Sequence, residues 1–117
     1  MKAVWVLGSS NIDLTYEVSE IPAVGATVSA SAQSVGTGGK GANQAFAVSY
    51  WDVPVSFIGA VGDDENGSLL IDALANRGID VSNVHRVAGT PSGSAVVYVN
   101  PQGENCIVVY PGANHCV

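Results

Sequence analysis

The stretch Gly36–Asn43, GTGGKGAN, places four glycines and a lysine directly before an alanine-rich segment. Because glycine lacks a Cβ atom, this backbone can adopt positive φ angles and can approach a ligand closely. Ala42–Trp51 follows with a composition that favours a helix. The pattern predicts a glycine turn that opens a helix, whose first N–H groups would be available to hydroxyls or anions.

Composition limits the classes of protein to which the chain can belong. At 117 residues, with 47% hydrophobic and 12% charged residues, it has the make-up of a single globular domain. The net charge of −6 argues against a nucleic-acid surface. No apolar run approaches the roughly 18 residues that a membrane span requires. We therefore expect a cytoplasmic protein with neither nucleic acid nor a membrane as its partner.

The cysteines and histidines do not indicate metal chemistry. Cys106 and Cys116 lack CxxC spacing, and His115 beside Cys116 has no further ligands at metal-binding spacing. We expect neither a metal site nor a disulfide framework.

Two kinds of strand are predicted. Ala3–Leu7 and Val55–Val61 are continuous apolar runs, which are typical of strands buried on both faces of a parallel sheet. Trp5 and Trp51 lie in apolar segments, and we expect both to pack in the interior. In the segments 14–18 and 27–35 residues of different polarity alternate, and the segments 93–100 and 104–110 flank a turn that contains Pro and Gly. These four segments predict an antiparallel sheet with one face exposed to water.

The acidic segment after the second buried strand has a structural explanation. Asp63 or Asp64 stands where a second helix needs an N-cap, and Gly78 stands where that helix would end. We expect these aspartates to cap the helix rather than to contact a ligand. His85 is expected at the surface or on an edge strand.

Asn11 and Asp13 are candidate ligand-binding residues outside the glycine turn. They follow the first buried strand, and ligands of open α/β sheets bind at the carboxyl ends of strands. Aspartate accepts hydrogen bonds from sugar hydroxyls, and asparagine both donates and accepts. The alternative for both is a local turn or cap. Likewise, Asn43 could bond to the backbone near the helix start, and Lys40 could be a solvated surface lysine.

Neither of two known phosphate-binding motifs fits the glycine turn well. Gly36, Gly38 and Gly41 formally satisfy the G-x-G-x-x-G dinucleotide fingerprint. That fingerprint should follow the first buried strand, whereas here it follows an alternating one, so a dinucleotide-binding oxidoreductase fragment is the weaker alternative. A Walker A loop fails, because it requires glycine at Ser34 and serine or threonine at Gly41.

In order along the chain, GSSNIDL, GGKGANQA, VGDDENG and GENCIVVYPGAN resemble the motifs of the ribokinase-like, or PfkB, carbohydrate kinases. The resemblance covers essentially all of the chain. It implies an α/β fold: part of a mainly parallel three-layer α/β/α sheet, with a small antiparallel β lid whose strands span approximately 14–36 and 93–110. It also implies that residues 1–117 are the N-terminal part of a sugar kinase.

The resemblance, carried over residue by residue, assigns a sugar site. The hydroxyls of a ribose-like sugar would be bound by Asn11, Asp13, Gly39, Lys40 and Asn43. Gly38 is also assigned to the sugar site, and with Gly39 it would let the lid hinge shut, which excludes water from phosphoryl transfer. The inner face of the lid would bring Ala95 and Val109 against the sugar. Asp13 would orient the sugar without taking its proton.

Members of the family carry a GAGD-type segment, which supplies the catalytic base and an anion hole. It lies in their C-terminal half together with the ATP site, and these 117 residues contain no matching segment. Gly112–His115 is the nearest approach, and it lacks the acid. We expect ATP and Mg²⁺ to serve full-length members and none to be bound by this chain alone. With no catalytic residue of its own, the chain alone is predicted to be inactive.

A second class of function is a non-catalytic sugar-binding or dimerisation module. Separated from the rest of its sheet, the chain would leave apolar strand edges and helix faces uncovered, and such surfaces associate. The family resemblance implies a homodimer formed through the lid strands.

Overall fold

The computed structural model describes residues 2–117, which form two sheets, two α-helices and one short 3-10 helix. In chain order the elements are β1 (Val4–Leu7), β2 (Asn11–Val18), β3 (Ala30–Gly38), α1 (Lys40–Ser49), β4 (Val55–Gly62), α2 (Glu65–Asn76), β5 (Asp80–Val87), β6 (Gly93–Val99), β7 (Asn105–Tyr110) and the 3-10 helix Gly112–Cys116. None of the described helices has both the length and the apolar character needed to cross a membrane.

The first sheet is parallel, with strand order β1-β4-β5. Both α-helices pack against one of its faces, where Val6 and Phe57 of the strands meet Ala45 of α1 and Leu74 of α2. Phe57, Ala45 and Leu74 are almost fully buried. The two predicted apolar strands and both predicted helices are therefore confirmed.

The prediction that β1 is buried on both faces is wrong. Side chains alternate along a strand, so Val6 faces the helices while Trp5 and Leu7 face the other way. Those two side chains are 60% and 65% exposed, and Trp51, in the turn after α1, is 79% exposed. Interior packing of the tryptophans is thus not observed: Trp5 lies on the sheet face that neither described α-helix covers, and Trp51 lies in a turn.

The second sheet has four strands in the order β3-β2-β6-β7. The predicted alternating segments do join in one sheet, but its central pair, β2 and β6, is parallel rather than antiparallel. The reason is that β2 leaves the carboxyl end of β1 and β6 leaves that of β5, so both extend from the same edge of the parallel sheet. This four-stranded sheet also begins earlier than expected, at Asn11, and β3 continues to Gly38.

Glycines hold the loop after β1 against the start of α1. A Cβ atom on Gly41 would lie 2.7 Å from Cα of Gly8, closer than real atoms approach. Gly39, the N-cap residue, has φ of +97°, and the amide of Ala42 donates to the carbonyl of Ser9 across 2.9 Å. The predicted helix start is confirmed, with Gly39 as the turn residue before it. Gly36 and Gly38, however, belong to β3, and Gly41 approaches the chain's own backbone rather than a ligand.

Asp64 is the N-cap of α2, as predicted. One carboxylate oxygen accepts from the amide of Gly67 and from the hydroxyl of Ser92, and the other accepts from the amide of Ser92. Desolvation raises the pKa of Asp64, but these hydrogen bonds and the charge of Arg86 outweigh it and lower that pKa. Gly78 follows the helix with φ of +77°. The Asp64 carboxylate therefore has a structural role.

His85 lies on β5, an edge strand of the parallel sheet, and is exposed. The predicted edge position is confirmed.

We expect Gly41→Ala to lower the free energy of unfolding by about 1–3 kcal/mol, because the added methyl group overpacks the contact with Gly8. Gly36→Ala is the matched control in the same segment, since no atom lies within 4 Å of the position its Cβ would take. Urea denaturation measures both. Equal stability of the two variants would contradict the assigned role of the Gly8–Gly41 contact.

Candidate functional site

A cavity of about 350 Å³ lies where the four-stranded sheet meets the start of α1. It is lined by Ser9, Asn11, Asp13, Gly39, Lys40, Asn43, Ala95, Val97, Ile107 and Val109. Every residue that the sequence assigns to a sugar site, apart from Gly38, lies in this lining. A concave site with apolar walls and a few convergent polar groups is typical of small-molecule binding.

Asn11 and Asp13 lie on one face of β2, two residues apart, in the strand that follows the carboxyl end of β1. We call this face, which also carries Ala95, the inner face of the four-stranded sheet. Asp13 is paired with Gly36 on β3 and with Ala95 on β6. The two polar side chains therefore project from a hydrogen-bonded strand, which holds them more firmly than a loop would.

The Asp13 carboxyl group is half-buried, and among residues 2–117 no side chain or amide donates a hydrogen bond to it. Burial alone raises the pKa of this carboxyl group above its ordinary value of 3.8. An acceptor that is partly desolvated and has no partner in the fold is available to a ligand hydroxyl.

Gly38 does not line the cavity, but it makes room for Asp13. A Cβ atom on Gly38 would overlap the Asp13 carboxylate. The absent side chain therefore allows the carboxylate to lie across β3.

Lys40 and Asn43 reach the cavity from α1. They stand three residues apart in the first turn of that helix, which places them on the same side of it. Both are exposed, and neither side chain forms a hydrogen bond with the rest of the described chain. The alternative that the Asn43 side chain bonds to the backbone near the helix start is not observed. Only the backbone N–H of Asn43 donates there, to the carbonyl of Gly39 across 2.9 Å.

The remaining wall is apolar and comes from the inner face of β6 and β7. Ala95 pairs with Val109, and Val97 pairs with Ile107. Val97 and Ile107 were missed from the sequence, although each stands two residues from a predicted position and the period of a strand would have found them. Ser9 was also missed.

Asn114 is a further residue that the sequence did not reveal. Its side-chain amide, on the 3-10 helix, donates to Oδ1 of Asn11 across 2.7 Å and to the carbonyl of Ser10 across 3.2 Å. Its oxygen accepts from the amide of Ser10 across 3.0 Å. Asn11 is thus fastened from a point 103 residues further along the chain.

A larger cavity of about 560 Å³ lies on the opposite, outer face of the four-stranded sheet. Tyr16, Val96 and Tyr98 line it together with other uncharged residues. We favour the cavity at Asp13 as the ligand site despite its smaller volume, because it combines a carboxylate, an ammonium group and amides with an apolar wall.

Residues 2–117 contain no group of three or more His, Cys, Asp or Glu side chains arranged to hold a metal ion. Cys106 and Cys116 are both exposed and free. Gly36 and Gly38 lie within β3 rather than in a turn from a buried strand to a helix, so the dinucleotide fingerprint lacks the structural context that it requires.

Comparison with known proteins places these features in a family. Residues 1–117 match the pfkB family of carbohydrate kinases. The ribokinase of Schizosaccharomyces pombe is 40% identical over 115 residues, which cover 93% of this chain and 36% of that protein. The deoxyribokinase of Salmonella typhi is 38% identical over 109 residues, with coverage of 93% and 36%.

Solved structures agree with this result. The structure of Arabidopsis thaliana ribokinase complexed with ribose and ATP matches with a TM-score of 0.85 and 37% identity, covering 95% of this chain and 36% of that one. The parallel sheet with its helices and the added four-stranded sheet are therefore a ribokinase-type α/β fold. The chain spans about a third of the length of these relatives. By sequence and by fold, it belongs to the pfkB family of carbohydrate kinases.

Proposed function

We propose that this chain is the sugar-binding and lid portion of an ATP-dependent sugar kinase whose substrate is ribose or a similar pentose. The observation that carries the proposal is the single cavity in which Asp13, Lys40 and Asn43 meet an apolar wall. The relatives named ribokinase and deoxyribokinase, and the ribokinase complexed with ribose and ATP, support a pentose as the substrate class.

Each group in the cavity suits part of a pentose. The Asp13 carboxylate can accept hydrogen bonds from two neighbouring hydroxyls, whereas Lys40 and the amide of Asn43 can donate to hydroxyl oxygens. Ala95 and Val109 offer apolar contact to the C–H groups of the ring. Polar groups on one side and apolar groups on the other would fix the orientation of the sugar and of the hydroxyl to be phosphorylated.

The four-stranded sheet would serve as a lid over this site. Gly39, with φ of +97°, and Gly38 connect its edge strand β3 directly to α1, so a small change of backbone angles there would tilt the sheet. Closing would exclude water, which competes with the sugar for the phosphoryl group.

Phosphoryl transfer needs groups that hold the nucleotide and its metal ion. We assign ATP and Mg²⁺ to the part of family members that this chain does not match, together with the base that takes the hydroxyl proton. Asp13 orients the sugar in this proposal and does not take its proton. The free, exposed cysteines agree with a cytoplasmic location, where thiols stay reduced.

We also infer that the chain forms a homodimer through the outer face of the four-stranded sheet, which carries Tyr16, Val35, Tyr98 and Val108. Val35 and Val108 are both 61% exposed, and the larger cavity adjoins Tyr16 and Tyr98 on this face. Exposed apolar surface of this kind favours association. The same face supports the second candidate function, a dimerisation module without a formed sugar site.

Sugar binding separates the two functions. In calorimetry we expect D-ribose to bind, and Asp13→Ala to weaken its affinity by about ten- to a hundredfold, because a hydrogen bond to a charged group is lost.

Binding should also weaken as the pH falls, beginning above pH 3.8, because burial raises the pKa of Asp13 and the protonated group is a poorer acceptor. Asp63→Ala, an exposed aspartate outside the cavity, is the control. A folded dimer that releases no heat with D-ribose would favour the dimerisation module.

The chain alone should not turn over. With D-ribose and Mg-ATP, a coupled assay for ADP should give no rate above that of a mock purification, because none of its described residues is assigned to the γ-phosphate. The full-length ribokinase of Schizosaccharomyces pombe serves as the positive control for the assay. Sustained ADP release that follows the purified chain through chromatography would refute the proposed division of labour.

Association is tested by sedimentation velocity. We expect Val108→Glu to raise the dimer dissociation constant about tenfold or more, because it places a charge within an apolar contact. Leu69→Glu introduces the same charge at an exposed apolar position on α2 and should leave the constant unchanged. If both variants, or neither, shift the equilibrium, the contact does not involve the outer face.

A further inference from the structure

We propose that Asn114 is a positioning residue that turns the side-chain amide of Asn11 so that its NH2 group, and not its oxygen, faces the sugar. This inference rests on the proposed sugar site and extends it to the chemistry of one contact. It assigns a role to the 3-10 helix Gly112–Cys116, which contributes no side chain to the cavity lining.

The orientation of Asn114 itself is determined by the backbone. The amide N–H of Ser10 can only donate, and the Asn114 oxygen accepts from it across 3.0 Å. The carbonyls of Ser10 and Pro111 can only accept, and they lie 3.2 Å and 3.0 Å from the Asn114 nitrogen. A flipped Asn114 amide would set oxygen against two carbonyls and nitrogen against an N–H group. One orientation is therefore strongly preferred.

Asn114 in turn determines the orientation of Asn11. The Asn114 nitrogen lies 2.7 Å from the nearer atom of the Asn11 amide, so that atom must be the acceptor, Oδ1. The Asn11 nitrogen is then the free end. It has no hydrogen-bond partner within residues 2–117, and it is not among the atoms buried without one. Asn11 therefore offers the cavity a donor.

Gly93 is the third part of this arrangement. It is the partner of Asn11 across the parallel pair β2 and β6, and a Cβ atom on it would overlap both Oδ1 of Asn11 and the nitrogen of Asn114. The space above Gly93 is thus occupied by this hydrogen bond. A residue with a side chain there would displace one of the two amides.

The consequence is a donor and an acceptor set side by side. Asn11 presents NH2 and Asp13 presents a carboxylate, two residues apart on one face of β2. A ligand hydroxyl that accepts from the first and a neighbouring hydroxyl that donates to the second would satisfy both groups. The chemical class that fits this pair is a vicinal diol, as on a furanose ring.

Asn114→Asp tests the proposal. An aspartate can still accept from the Ser10 amide, but its second oxygen cannot donate to Asn11. That oxygen also meets the carbonyls of Ser10 and Pro111, so the variant should be less stable than the parent chain. The Asn11 amide should therefore turn over, donate to the new carboxylate and present oxygen to the cavity. We expect affinity for D-ribose to fall about tenfold, equivalent to one hydrogen bond. His115→Ala, on the same 3-10 helix and exposed, should bind D-ribose as the parent chain does.

A second measurement does not depend on sugar binding, and its first comparison uses the parent chain alone. In the parent chain, the side-chain NH2 protons of Asn114 are hydrogen-bonded and those of Asn11 are free. Saturation-transfer NMR should therefore show solvent exchange about tenfold slower at Asn114 than at Asn11. In Asn114→Asp the protons of Asn11 should become the protected ones.

The outcomes can be told apart. Faster exchange at Asn114 than at Asn11 in the parent chain would overturn the proposal, as would unchanged D-ribose affinity in a folded Asn114→Asp variant. If the parent chain does not bind D-ribose at all, the proposed sugar site fails, and the exchange rates alone decide whether Asn114 orients Asn11.

Discussion

The contact between the backbones of Gly8 and Gly41 is the constraint on which the rest of this site depends. Neither residue has a side chain, so the loop that leaves β1 lies directly against the first turn of α1. The hydrogen bond from the Ala42 amide to the Ser9 carbonyl joins the same two segments. As a result, β2 starts beside the helix that carries Lys40 and Asn43. Any side chain at these glycines would separate the two halves of the cavity.

Strand direction supplies the other half of the geometry. β2 and β6 both extend from the carboxyl edge of the parallel sheet, so they pair in parallel and Asp13 lies beside Ala95. The turn after β6 then adds β7, which brings Val109 to the same face. The apolar wall of the cavity therefore depends on where the connections from β1 to β2 and from β5 to β6 end. The polar groups of α1 reach the cavity because of the contact between Gly8 and Gly41.

The sequence was sufficient for the elements that local physics determines. GTGGKGAN predicted a glycine turn and a helix start, and alternation predicted the strands of the second sheet, because both signals lie within a few residues. Exposure of Trp5 could not be predicted, since an apolar run does not reveal how many layers cover it. The parallel pairing of β2 with β6 depends on connections dozens of residues long. Gly38 was assigned a direct role, whereas its described contribution is the space that it leaves for Asp13.

Asn114 shows a different limit of sequence reasoning. Its partner is 103 residues away, and nothing in the spacing of the GAN segment connects it with GSSN. The connection exists because the chain returns from the four-stranded sheet to the parallel sheet at the point where it first left. The topology brings together the residues at which the chain leaves the parallel sheet and those at which it returns. Side chains at these two points can form hydrogen bonds whatever their separation in sequence.

The polar groups in the cavity are arranged in a way that folding alone does not favour. A half-buried carboxylate with a raised pKa and no donor, at Asp13, costs free energy in the absence of a ligand. An amide whose oxygen is bonded but whose NH2 is free, at Asn11, adds to that cost. A chain selected only for stability would pair these groups with each other or replace them. Among residues 2–117 the structure instead leaves the Asn11 NH2 group and the Asp13 carboxylate without partners, and this arrangement supports the ligand site proposed above.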